Sequence, residues 1–127
     1  MQTIREQFEA YLKDKVEATN KRLLVEASNK KKNNAWEHAT QFWQLICKDP
    51  ELRRGFPVPA ATETSDNLAS MIWRTGRFTI QVEIYPDGSL EWFGQDSRST
   101  SYVGCEDPVA LDDPELWAWL RKVATAI

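Results

Sequence analysis

A tight turn between two strand-forming segments constrains the fold of this chain more than any other feature. The sequence YPDGS at residues 85–89 separates the apolar-polar alternation of 79–84 from that of 90–93. Proline presets the first corner of a type I turn, aspartate suits the second, and glycine accepts the left-handed position that follows. The turn therefore predicts a hairpin in which Tyr85 pairs with Ser89, Ile84 with Leu90, and Val82 with Trp92.

A second turn predicts another hairpin just before the first. A two-residue loop at Thr75-Gly76 pairs Trp73 with Phe78, Met71 with Ile80, and Ala69 with Val82. Both turns assign the same alternate residues to the apolar side, and this agreement supports the assignment of faces. An apolar sheet face needs cover, which amphipathic helices can supply.

Three segments have the periodicity of such helices. Thr3 and Glu6 are spaced as a capping box, and apolar residues then recur at i+4 up to Val16, so a helix begins there and can extend through Ala27. Helical periodicity resumes over 35–48. Asp113 followed by Pro114 predicts the start of a last helix.

The fold class predicted is α+β, with residues 1–127 as one domain. Two N-terminal helices precede a three- to four-stranded antiparallel meander, and all helices pack on one face of the sheet. The helical part spans about 3–54, a connection 55–67, the sheet 68–104 with an optional short strand at 100–103, and the C-terminal helix 113–127.

Composition narrows the function classes. The net charge is −3, divided between a mildly basic segment 1–34 and an acidic remainder, which disfavours general nucleic-acid affinity. The chain starts without a signal-peptide pattern and has no apolar run long enough to span a bilayer, so we expect a cytoplasmic protein without membrane contact. We expect Cys47 and Cys105 to be free thiols, and no cofactor.

The sheet face turned away from the helices is the predicted functional surface. It carries large apolar residues, Leu68, Ile72, Tyr85 and Phe93, among polar ones, Arg74, Arg77, Thr79, Gln81, Glu83 and Glu91. So much apolar area is more than solubility needs and is typical of a contact surface. The alternatives are cover by a strand, by the connection or by a dimer mate. Six residues are predicted to bind a partner: Ile72, Arg74, Glu83, Tyr85, Glu91 and Phe93.

Catalytic and metal sites have weaker support. Glu83 and Glu91 fall opposite each other and could share a proton or bind a cation, although two solvated glutamates have the same pattern. His38 could activate Cys47, but nine residues on one helix put them on opposite sides. One histidine and two scattered cysteines do not make a zinc site. No catalytic or metal-binding residue is therefore predicted.

A second candidate surface combines the basic run Lys30, Lys31 and Lys32 with Trp36, which would form a hot spot if its ring were exposed. A solvated helix end is the simpler interpretation of these lysines.

The function predicted is that of a small, non-catalytic accessory protein of bacterial or phage type. It would neutralise another protein, such as a toxin, a nuclease or a defence-complex subunit, as an immunity protein, antitoxin or anti-defence inhibitor does. One alternative is a small hydrolase or ligand-binding fold with a pocket lined by Trp43, Trp73, Trp92 or Trp119. The other is a nucleic-acid accessory protein that uses the lysine run.

Overall fold

The computed structural model describes residues 2–26, 34–52, 56–65, 68–99 and 102–125. These residues form, in chain order, α1 (Ile4–Glu26), α2 (Ala35–Lys48), β1 (Ala60–Ser65), β2 (Leu68–Arg74), β3 (Phe78–Ile84), β4 (Leu90–Asp96), β5 (Tyr102–Gly104) and α3 (Pro114–Thr125). This arrangement confirms the α+β class and the order of the helices.

All five strands belong to one antiparallel sheet, and their order in the sheet is their order in the chain. The prediction of three to four strands is wrong because β1, assigned to the 55–67 connection, pairs with β2 along the sheet edge. Its sequence AATETS has little apolar content, and Pro57 and Pro59 just before it argue against a central strand but not against an edge. The short last strand lies at 102–104 rather than 100–103.

The β3–β4 hairpin has the predicted register. Tyr85 N–H donates to the Ser89 carbonyl at 2.8 Å, and Gly88 has a φ of 91°, the left-handed position that the turn requires. The Asp87 carboxylate accepts from both the backbone N–H and the hydroxyl of Ser89. Ile84 pairs with Leu90, and the two carboxylate side chains of Glu83 and Glu91 leave the sheet from opposed positions.

The β2–β3 hairpin has a register two residues away from the predicted one. Arg74 pairs with Thr79, and Thr75 N–H donates to the Phe78 carbonyl at 2.9 Å, so the loop consists of Gly76 and Arg77 rather than Thr75 and Gly76. Observed pairs on the apolar side are Trp73 with Ile80, Met71 with Val82, and Ala69 with Ile84. Because side chains alternate with a period of two, this shift leaves the paired residues of β2 and β3 on their predicted faces, whereas Arg77 moves into the turn.

The helices cover one face of the sheet, here called the inner face. Phe42 of α2 contacts Trp73 edge-to-face, with the two ring centroids 6.3 Å apart. From α3, Trp119 contacts Phe78 at 5.8 Å in the same manner. Helix α1 packs on α2 and reaches the β1 edge of the sheet. There the Arg22 guanidinium forms an ion pair with the Glu63 carboxylate, with 3.2 Å between the Arg22 nitrogen and Glu63 Oε1.

Polar side chains begin each helix. Thr3 and Glu6 form the predicted capping box, with Glu6 N–H donating to the Thr3 hydroxyl at 3.1 Å. Asn34 caps α2 by accepting from Trp36 N–H, and Asp113 caps α3 by accepting from Leu116 N–H at 3.1 Å. These three caps place the helix starts where the sequence predicts them.

Two indole rings of α3 fasten this helix to the rest of the core. Trp117 is buried because its ring packs on Phe42 and its Nε1–H donates to the Leu111 carbonyl at 2.8 Å. Trp119 lies over Gly94 of β4, so closely that a Cβ at that glycine would stand 2.8 Å from the ring. The glycine is therefore required for the approach of α3 to the sheet.

Candidate functional site

The side of the sheet opposite the helices, here called the outer face, presents its side chains in rows that cross the strands. The pairings place Ser70, Glu83 and Glu91 in one row, Ile72, Gln81 and Phe93 in the next, and Arg74, Thr79, Gln95 and Tyr102 in a third. Strand β1 extends this sheet sideways and does not lie across it. The described residues 60–65 of the connection pair with β2 at the sheet edge, so this segment does not cover the outer face.

Five of the six predicted partner-binding residues are brought close together on this face. Tyr85, Glu83 and Glu91 form one group, and Ile72 and Phe93 lie in the adjacent row. Arg74 stands at the end of β2, four residues from the first row, which is about 13 Å along a strand. Arg77 was also assigned to this face, but it lies in the β2–β3 turn and pairs with Asp96 at 2.7 Å.

From the described residues, Glu83 and Glu91 each receive one side-chain hydrogen bond and no ion pair. Gln81 Nε2–H donates to Glu83 Oε1 at 3.1 Å, and the Tyr85 hydroxyl donates to Glu91 Oε1 at 2.5 Å. Neither carboxylate lies within ion-pairing distance of a basic side chain in the part of the chain that the structure describes. Two like charges thus face each other without internal compensation, an arrangement that disfavours folding.

The hydrogen bond to Glu91 controls the ionisation of Tyr85. It raises the pKa of the Tyr85 hydroxyl to about 12, with smaller contributions from burial and from the charges of Glu91 and Glu83. The hydroxyl therefore keeps its proton at neutral pH and remains a donor to Glu91. This bond fixes the orientation of the carboxylate on the outer face.

An exposed aromatic pair lies beside the carboxylates. The rings of Phe93 and Tyr102 have centroids 6.2 Å apart, and the two residues are 39% and 65% exposed. Tyr102 was not predicted as a site residue because the loop between β4 and β5 hides the register of β5. The alternation of β5 would have placed Tyr102 on the outer face once its pairing with Gln95 was known.

A shallow pocket adjoins Glu91 at the turn end of the sheet. Residues 105–109 return to the start of β4, where Leu90 and Val109 exchange two backbone hydrogen bonds of 2.8 Å. This return brings Pro108 beside the β3–β4 turn. The pocket is lined by Tyr85, Pro86, Asp87, Ser89, Glu91 and Pro108.

The thiol–histidine pair that helix geometry argued against does not form. Helix α2 is continuous from Ala35 to Lys48, so His38 and Cys47 lie near opposite ends, and His38 rests against Gly88 of the turn. Burial raises the pKa of the Cys47 thiol, partly offset by Arg5, so this group is less ionised than a free cysteine. Cys105 accepts from Trp92 N–H at 3.3 Å, and both cysteines are free, as expected.

The tryptophan-lined pocket of the ligand-binding alternative has limited support. Trp73 and Trp92 use their Nε1–H groups internally, on the Pro57 carbonyl and the Asp113 carboxylate. Trp43 lines a cleft of about 170 Å³ beside Arg5. That volume is below the roughly 300–1,000 Å³ of typical small-molecule sites.

The second candidate surface is not formed as hypothesised. Trp36 is fully buried, with its ring 5.8 Å from that of Tyr11 in an edge-to-face contact, so the exposed hot spot it was to supply is excluded. Lys30, Lys31 and Lys32 lie outside the described residues. The nucleic-acid alternative depends on the lysine run alone and stays a prediction.

Comparison of the chain with protein-family models, with curated proteins and with solved structures finds no match in any of the three. Among the described residues, no group of three or more histidine, cysteine, aspartate or glutamate side chains is arranged to hold a metal ion. The described helices include none with the length and apolar character needed to cross a membrane. The geometry of the outer face is therefore the main guide to function.

Proposed function

We propose that this protein is a non-catalytic binding protein that holds another protein against its outer face. The observation that supports this proposal most directly is the exposed pair Phe93 and Tyr102, which lies next to the uncompensated carboxylates Glu83 and Glu91. Aromatic residues are enriched in the cores of protein interfaces, and polar groups surround them there. A rigid five-stranded sheet presents such a patch with little loss of conformational entropy on binding.

The narrower hypothesis is that binding neutralises the partner, as in an immunity protein, antitoxin or anti-defence inhibitor. It is supported by a small acidic domain whose exposed contact groups lie together on one regular surface. An inhibitor needs only to occupy the partner's working surface and needs no chemistry of its own. The cytoplasmic location expected from the sequence stays a prediction.

A matched pair of variants tests the proposal. Phe93→Arg introduces a charge on the outer face, whereas Leu45→Arg introduces the same charge on α2 at a residue of similar exposure, 39% against 43%. Both changes affect exposed side chains and should alter the free energy of unfolding by less than about 1 kcal/mol. Affinity capture from cells that express the protein, followed by mass spectrometry, should recover the same protein with the wild type and Leu45→Arg but not with Phe93→Arg.

Two results would contradict the proposal. Capture that persists with Phe93→Arg would show that the partner binds elsewhere. A large loss of stability in Phe93→Arg would show that this side chain belongs to the core.

A further inference from the structure

The row that contains Ser70, Glu83 and Glu91 is the polar part of the outer face with the most unsatisfied groups. The pairing Ser70–Glu83–Glu91 crosses three adjacent strands. Ser70 is 1% exposed, and its hydroxyl has no hydrogen-bond partner among the described residues. A buried hydroxyl without a partner, and two facing carboxylates that pair with no basic side chain of the described residues, both carry a free-energy cost.

A cationic group from outside would offset the cost at the two carboxylates, whereas the buried Ser70 hydroxyl is out of its reach. It would neutralise the repulsion between Glu83 and Glu91 and supply hydrogen-bond donors to their remaining acceptor positions. A metal ion has less support here, because the described residues place only two carboxylates at this point and no third histidine, cysteine, aspartate or glutamate side chain beside them. A cationic side chain of a bound protein needs no such ligand shell.

The apolar surroundings favour a side chain with a long stem and a planar head. Tyr85, Pro86 and Pro108 form walls beside Glu91, and these can hold methylene groups while the charge reaches the carboxylate. The ring of Phe93 stands in the neighbouring row, two residues along β4 from Glu91. A guanidinium stacks on such rings and bonds carboxylates through paired donors, which an ammonium cannot do.

We infer that the outer face receives an arginine side chain of the partner protein, with its guanidinium between Glu83 and Glu91 and its stem against the wall formed by Tyr85 and Pro108. This assignment rests on the proposed function and adds the chemistry of the partner's central contact. The partner surface is accordingly basic at this point, and association slows as salt screens the charges.

Solution NMR of the ¹⁵N-labelled protein tests the inference without knowledge of the partner. The probe is N-acetyl-arginine methylamide, with the corresponding lysine and norleucine compounds as comparisons. The arginine probe should produce saturable amide shifts at Glu83, Tyr85 and Glu91 with a dissociation constant on the order of 1–50 mM, which is the range of single-side-chain contacts. The norleucine compound should produce none, and the lysine compound should bind at least threefold more weakly.

Two variants locate the binding. Glu91→Gln keeps the shape of the side chain and removes its charge, and it should weaken binding of the arginine probe at least fivefold. Glu17→Gln removes a charge from an exposed position on α1 and should leave the binding unchanged. Both variants should retain the dispersed spectrum of the folded protein.

The following results would overturn the inference: no saturable shift with the arginine probe, equal binding of the lysine compound, or equal binding by Glu91→Gln. The same shifts with millimolar Mg²⁺ or Ca²⁺ would assign the site to a metal ion instead. Concentration-dependent dimerisation that Arg74→Ala abolishes would assign the surface to a second copy of the chain. Failure of the probe together with Phe93-dependent capture would refute the arginine site alone, whereas capture that ignores Phe93 would refute the proposed function.

Discussion

Substitution of Gly94 by alanine tests how α3 is held against the sheet. A Cβ at this position would stand 2.8 Å from Cε3 and 3.0 Å from Cζ3 of Trp119, which is closer than carbon atoms pack. The ring cannot retreat without loss, because it contacts Phe78 edge-to-face at 5.8 Å and Trp92 at 6.5 Å. In Gly94→Ala, either α3 must therefore move away from the sheet or the Trp119 ring must lose its contacts with Phe78 and Trp92.

The expected magnitude follows from two opposing effects. Overpacking of a fitted core typically costs about 1–3 kcal/mol. Replacing a strand glycine by alanine returns about 0.5–1 kcal/mol through the lower entropy of the unfolded chain. The two ranges leave a net loss of about 0–2.5 kcal/mol, and because a Cβ would stand only 2.8 Å from the ring, we expect Gly94→Ala to lower the free energy of unfolding by about 0.5–2 kcal/mol within that range. With an unfolding entropy of about 2.1 cal/mol/K per residue, this corresponds to a fall in Tm of about 2–7 °C.

Chemical denaturation followed by tryptophan fluorescence measures the effect. Gly76→Ala is the matched control, because nothing lies within 4 Å of a Cβ at that turn position, and this variant should be neutral or slightly stabilised. In a Trp119→Ala background, Gly94→Ala should lose its cost, giving a coupling energy of about 1 kcal/mol or more. A neutral Gly94→Ala variant, or an equal cost with and without the Trp119 ring, would refute this account of the packing.

Three further predictions concern hydrogen bonds and ionisation. The Tyr85 pKa is raised to about 12 by its bond to Glu91, so the stability difference between wild type and Tyr85→Phe should be constant below pH 10 and shrink as the pH rises through 12; a flat difference would contradict the bond. The pKa of Asp96 is lowered to about 2 by Arg77, so the difference in free energy of unfolding between wild type and Asp96→Asn should be complete above pH 4 and disappear as the pH falls to 2. Urea titration measures this difference, and a difference that does not change with pH would contradict the ion pair. Asn34→Ala removes a helix cap and two hydrogen bonds to α1 and should cost about 2–3 kcal/mol in thermal unfolding; a cost below about 1 kcal/mol would show that the cap is dispensable.

The faces of the central strands could be predicted from the sequence because the β3–β4 turn allows few alternatives. Proline, aspartate and a glycine at positive φ fix the loop length, and the loop length fixes the pairing of Glu83 with Glu91. The β2–β3 turn offers no such restriction. Thr75-Gly76 and Gly76-Arg77 are both acceptable two-residue loops, and the bidentate pair between Arg77 and Asp96 accompanies the second.

Other features depend on contacts between residues that are distant in the sequence. Strand β1 is polar and forms only because β2 offers it an unpaired edge, while α1 supplies Lys15 and Arg22 to its Glu63 side chain. The position of Tyr102 on the outer face depends on its pairing with Gln95 across the β4–β5 connection, whose sequence does not specify the register. Neither relationship appears as a local pattern, so the strand count and part of the candidate site could not be predicted.

Side-chain oxidation footprinting of the protein with and without its captured partner shows whether the partner binds the outer face. Phe93 and Tyr102 report on the outer face, and Ile4 and Leu45 are exposed apolar residues elsewhere on the molecule. The partner should protect Phe93 and Tyr102 from hydroxyl radicals and leave the labelling of Ile4 and Leu45 unchanged. Undiminished labelling of Phe93 and Tyr102 in the complex would contradict binding at the outer face.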